Sequence, residues 1–254
     1  MPSKRSASPT SASSLNFPDR SSCAMSFGIL DIIEAQVASA PDFVWAIDAG
    51  RTYDSVTALQ LRTRAIRLAR VLERRGVGRD AWCAADMGTC VEFLYLVVAA
   101  AYGGFAITAL NIRLTDAEKA DRLRDMSCSL GADALVRIDE SYVADALRDD
   151  GGLCTNQERW VHDAAAAFDG NASAIAMFTS GTSGAPKAAV LTWDNLTGAA
   201  ASSNALLSEE GQGLWQLALP LYHVGGLEIV FRSILNRNPF ILYRRFDAAA
   251  ILHD

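Results

Sequence analysis

The sequence predicts an α/β fold, mostly parallel sheet with flanking helices. Short apolar runs of strand length ("AWCAAD", "FAITAL", "SAIAMFT", "FILYRRF") alternate with longer stretches of helical periodicity. Glycines and prolines fall at the joins rather than inside the runs. Half of the 254 residues are hydrophobic and a fifth are charged, the balance of a soluble chain able to bury a sizeable core.

"ILDIIEAQVA" reads as an amphipathic helix that stops near Pro41. A long helix is expected from about Ser55 to Arg75, with Leu59, Ile66, Leu68 and Leu72 on its apolar positions and Gly76 as its stop. "AWCAAD" is a short buried strand, followed by a helix from Val91. The uncharged run from Phe93 to Leu110 approaches the roughly 18 residues of a membrane span. Gly103 and Gly104 divide it, so a buried helix turning into the strand "FAITAL" is expected and a membrane span is not. Thr115 and Glu118 form a capping-box pattern at the next helix start. "ADALVRI" gives a strand, and 149–169 reads as a loosely structured connection. After "SAIAMFT" come a Gly-rich loop, the strand "AAVLT" and a helix capped by Thr192. The strand "LWQLALP", a helix from about Gly226 to Leu235 and the strand "FILYRRF" complete the pattern. No internal repeat is visible.

A net charge of -6 argues against a nucleic-acid binder, which needs a basic surface. The five cysteines (Cys23, Cys83, Cys90, Cys128, Cys154) are odd in number and form no C-x-x-C pair. They predict neither a metal site nor a disulfide framework, and read as scattered reduced thiols of a cytoplasmic protein. Residues 1–24 are rich in Ser, Pro and Arg and lack the apolar stretch of a secretory signal. A disordered extension, or an upstream start with Met25 as the working one, is expected; an organellar transit peptide is the alternative.

The stretch "FTSGTSGAPKAAVLT" carries the chemistry. Directly behind a strand it sets Thr179, Ser180, Thr182 and Ser183, with Gly181 and Gly184 between them and Lys187 at the end. Glycines let backbone amides approach an anion, short hydroxyls add donors, and a lysine supplies a compact charge for phosphate oxygens. The bland reading is a solvated Gly/Ser turn. Strand, loop, Pro-Lys and returning strand in one order favour a phosphate cradle. It is not a Walker A loop: Pro186 precedes the lysine where a glycine belongs, and Ala188 follows where a hydroxyl should hold magnesium.

On these residues the chain resembles the adenylate-forming superfamily of acyl- and aryl-CoA synthetases, luciferases and peptide-synthetase adenylation domains. Their loop reads T-S-G-[ST]-T-G-x-P-K-G; Ser183 and Ala188 depart from it by one retained hydroxyl and one added methyl. "VEFLYLVVAAAYGGFAITALNIRLTDAE" and "LALPLYHVGGLEIVFRSILNRNPFILYRRFD" are also similar to family segments. Within the superfamily the pattern looks most like the 2-succinylbenzoate–CoA ligases of menaquinone synthesis, with medium- and long-chain acyl-CoA ligases sharing much of it. The resemblance implies that Thr179, Ser180, Gly181, Thr182, Ser183, Gly184 and Lys187 bind nucleotide. It implies that His223 is the candidate catalytic residue, positioning substrate in the acyl and adenylate pocket. ATP, Mg2+ and coenzyme A are the implied co-substrates, and a small-molecule carboxylate the partner. The family's adenine-binding strand, magnesium-binding acid and mobile domain with its lysine have no counterpart before Asp254. The resemblance therefore implies that 25–254 is a truncated AMP-binding domain whose second half is supplied elsewhere. A freestanding, non-catalytic nucleotide- or acyl-binding protein is the alternative.

Overall fold

The structure is a computed structural model describing residues 28–130, 135–149, 156–179, 187–207 and 213–254. The strands form two sheets. One has the order β5(Val136–Ile138)-β3(Trp82–Ala85)-β4(Ala106–Ala109)-β6(Ser173–Thr179)-β7(Lys187–Thr192). The other has the order β2(Asp54–Thr57)-β1(Val44–Asp48)-β9(Phe240–Leu242)-β8(Trp215–Leu217). Only β1–β2 and β6–β7 pair antiparallel among the described strands; the other five pairings are parallel. Mostly parallel sheet with flanking helices is thus the observed class, but split into two sheets where the sequence suggested no division.

The helices follow from local chemistry. α1 (Ile29–Ser39) and α2 (Ala58–Arg74) each bury one apolar face. α2 begins three residues later than expected because Thr57 and Gln60 form a reciprocal cap, leaving Asp54–Thr57 free to be strand β2. α3 (Val91–Gly103) is buried on every side and ends at Gly104 in the left-handed conformation (φ +68°). No described helix is long and apolar enough to cross a membrane. The Thr115–Glu118 cap forms at the head of α4 (Asp116–Leu130), with the Thr115 hydroxyl donating to Glu118 at 2.8 Å. α5 (Glu140–Arg148) is capped by Asp139. α6 (Gln157–Ala166) corrects the expected loose connection at 149–169; Val161 and Ala164 anchor it in the core. α7 (Trp193–Leu207) starts at the Thr192 cap, whose hydroxyl accepts from Asn195 N–H at 3.1 Å. α8 (Val224–Asn236) packs on β8, while its Leu227 and Phe231 line one apolar cavity with Ile107 and Ile175 of the other sheet. α9 (Ala248–His253) closes the order. The expected strands around β5, β8 and β9 are each cut to three residues.

Candidate functional site

Parallel strands leave their loops at one edge, and in open α/β sheets ligands bind outside the carboxyl ends of the strands. Here the loops after β3 and β8 meet at that edge. Thr89 Oγ1 accepts from Leu221 N–H at 3.3 Å and donates to the Leu219 carbonyl at 3.5 Å. The segment "LPLYHVGG" is thereby fixed against the head of α3.

His223 sits at the end of this segment as the residue capping α8, in extended backbone (φ −116°, ψ 143°). Its carbonyl accepts from Gly226 and Leu227 N–H at 3.1 and 3.2 Å. Gly226 makes the tight turn possible: a Cβ there would lie 2.4 Å from the Pro220 carbonyl oxygen. The imidazole is exposed and meets the Tyr222 ring edge-on, centroids 4.7 Å apart. No described carboxylate orients it. The arrangement suits a wall or hydrogen-bonding group better than an activated base.

Thr179 ends β6 and Lys187 begins β7, and the two residues pair directly across the antiparallel ladder. The Thr179 hydroxyl donates to the Lys187 carbonyl at 3.1 Å, so it braces the mouth of the loop. Both residues are exposed. Ser180, Gly181, Thr182, Ser183 and Gly184, the other expected nucleotide-binding residues, lie outside the described residues, as do 1–24 and Cys154. The structure thus brings Thr179 and Lys187 together and sets His223 on a different strand's loop.

A second cluster lies at the same edge of the sheets. Arg244, after β9, reaches Glu140 at 3.0 Å, Asp48 at 3.7 Å and Glu92 at 3.9 Å; Arg51 reaches Glu92 at 2.7 Å. Burial raises the Asp48 carboxyl above its ordinary pKa, with Arg244 and the Gly50 amide pulling the other way. Cys90, Glu92 and Glu140 place a thiol and two carboxylates within 4.8 Å, close enough to share a metal ion. Guanidinium groups already neutralise both carboxylates, and burial pushes the Cys90 thiol well up. The cluster is a structural ion-pair network that ties the carboxyl end of the four-stranded sheet to the heads of α3 and α5. Thr89 and Arg244 went unremarked in the sequence, because their partners come from remote segments.

Comparison with known proteins agrees with this geometry. Residues 33–254 match the AMP-binding enzyme family. The 2-succinylbenzoate–CoA ligase of Bacillus pumilus is 30% identical over 167 residues, 63% of this chain and 33% of that protein. The Bacillus subtilis ligase is 28% identical over 202 residues, 79% of this chain and 41% of that protein. The chain thus spans less than half the length of either relative. The Bacillus subtilis O-succinylbenzoate coenzyme A synthetase, solved in complex with ATP and magnesium ion, shares the fold with a TM-score of 0.70 at 23% identity, over 87% of this chain and 59% of that one. A Mycobacterium tuberculosis fatty acyl CoA synthetase gives 0.69 at 25% identity, over 89% and 46%. With a family match running from α1 to the last described residue, the chain belongs to the AMP-binding enzymes, the adenylate-forming acyl-CoA ligase family.

Proposed function

We propose that this chain supplies the triphosphate cradle and part of the acyl pocket of an ATP-dependent acid–CoA ligase, with 2-succinylbenzoate as the acid. The observation that carries the reading is the loop whose two anchors, Thr179 and Lys187, face each other at the carboxyl end of β6. Lys187 is exposed and follows the glycine- and hydroxyl-rich stretch in sequence, which suits β- and γ-phosphate oxygens. Mg2+, arriving with ATP, would offset the remaining phosphate charge.

In the reaction so assigned, a carboxylate oxygen attacks the α-phosphorus of ATP and pyrophosphate leaves, giving the acyl-adenylate. The coenzyme A thiol then attacks the acyl carbon and AMP leaves. Lys187 holds the triphosphate in line for the first step, and His223 shapes the acyl side. The similarity to a mycobacterial fatty acyl CoA synthetase keeps a second substrate class, medium- and long-chain fatty acids, in the assay.

The test is pyrophosphate release from ATP with each acid. The chain alone should give none, and it should bind ATP only at about millimolar affinity, roughly 4 kcal/mol. Joined to the portion of the Bacillus subtilis ligase that it does not span, it should turn over. Lys187→Ala should then slow that turnover by about a hundred- to a thousandfold. Turnover by the isolated chain that ignores Lys187→Ala would overturn the assignment; micromolar ATP affinity without turnover would point to a freestanding binder.

A further inference from the structure

Thr89 precedes Cys90, the capping residue of α3, which makes no side-chain cap bond. A threonine at a helix head ordinarily spends its hydroxyl on the free amides of its own helix. The Thr89 hydroxyl goes instead to two residues remote in sequence, donating to the Leu219 carbonyl and accepting from Leu221 N–H. Between those two partners lies Pro220, which has no N–H of its own to anchor. One buried hydroxyl therefore brackets the proline from both sides.

His223 stands on this bracket. Its N–H donates to the Pro220 carbonyl at 3.1 Å, so the turn that presents the imidazole starts from the braced residue. The turn has little slack: a Cβ on Gly225 would lie 3.3 Å from Leu219 Cδ1, and one on Gly226 would run into the Pro220 carbonyl. Leu221 is fully buried, whereas Leu219, His223 and Val224 remain exposed as a lip at the carboxyl edge. The other side of the brace is fixed as well, because Glu92 in the first turn of α3 takes Arg51 at 2.7 Å.

We infer that Thr89 is a positioning residue for the acid side of the site. Without touching ligand, its hydroxyl sets the place of His223 and of the Leu219 lip beside it. In naming the acid, this role depends on the proposed function; in placing His223 it does not. The strand order separates the role from the nucleotide side, since β4 stands between β3, which leads to Thr89, and β6, which ends at Thr179. Loss of the hydroxyl should therefore affect the acid and spare ATP.

The test uses the full 254-residue chain. Thr89→Val removes the hydroxyl at nearly constant shape and leaves two backbone groups unpaired, while Thr89→Ser keeps the hydroxyl. Hydrogen exchange reads the Leu221 amide, NMR reads the His223 ring, and titrations with 2-succinylbenzoate and with ATP read the two sides of the site. In Thr89→Val the Leu221 amide should exchange about tenfold faster, the His223 ring signals should shift, and the acid should bind about tenfold more weakly. ATP binding should match the parent, and Thr89→Ser should match it in every readout. If Thr89→Val does not fold, as judged by circular dichroism, Thr89→Ala serves with the same expected losses. An unmoved Leu221 amide or His223 ring, acid binding that Thr89→Val leaves unchanged, acid and ATP binding that fall together, or a serine variant as impaired as the valine one overturns the inference. A parent chain that binds no 2-succinylbenzoate, with Leu221 and His223 responding as expected, would remove that acid from the proposed function and leave the hold of Thr89 on His223 standing.

Discussion

The five-stranded sheet draws every strand from between Trp82 and Thr192, whereas the four-stranded sheet joins the two ends of the chain, pairing Ala46 with Phe240. The first is assembled from neighbouring segments and carries the loop with Lys187. The second must close a very long loop before any of its central contacts form. It is also held by short strands and by the Arg244 network rather than by a deep apolar layer alone. The contrast teaches that the side carrying Thr179 and Lys187 is locally specified, and the β8–β9 side depends on long-range closure.

The largest effect should come from breaking the ion-pair network that ties the four-stranded sheet to α3 and α5. Arg244→Met leaves Asp48, Glu92 and Glu140 with reduced compensation, and should cost about 3–5 kcal/mol in denaturant unfolding. A loss below 1 kcal/mol would mean the network is incidental. Next, Ile107→Ala in β4, only 1% exposed, should cost about 2–5 kcal/mol, while Trp215→Ala in β8 should cost on the order of 1–2 kcal/mol. Equal losses at the two positions would erase the distinction between the sheets.

The smallest effect sharpens the comparison through pH. The Tyr142 amide, and after it the Ser141 hydroxyl, hold the Asp139 carboxyl below its ordinary pKa of 3.8. A group with a lowered folded pKa stabilises the fold above its unfolded value and loses that contribution as pH falls through the folded one. Asp139→Ala should therefore cost about 1 kcal/mol at neutral pH, and the cost should vanish in strong acid. Asp48 has the opposite sign: its raised pKa means stability declines as pH rises from 3.8 through the folded value, then levels. Acid titrations of Asp139→Ala and Asp48→Asn should bend in opposite directions.

Much of the first sheet was legible because its strands are short apolar runs bounded by glycines and caps: "AWCAAD", "FAITAL" and "SAIAMFT" each became a strand. β1 was not, since "VWAID" ends on a buried Asp48 whose compensation comes from Arg244. α6 escaped notice because its polar face and alanines resemble a linker until Val161 and Ala164 find the core. The Thr57–Gln60 cap is readable in the sequence, but the apolar periodicity runs on past it toward Ser55 and suggests a longer helix. At the site, His223 and Lys187 stood out by motif, whereas Thr89 acts through contacts with Leu219 and Leu221 that no local pattern announces.

Lys187 belongs to a strand and not to the loop it serves. Its height and facing are set by the ladder opposite Thr179, as a fence post is set by the ground and not by the wire. The cost of that arrangement falls on insertions: one extra residue within β7 would turn Lys187 to the opposite face, and no change of loop composition could turn it back.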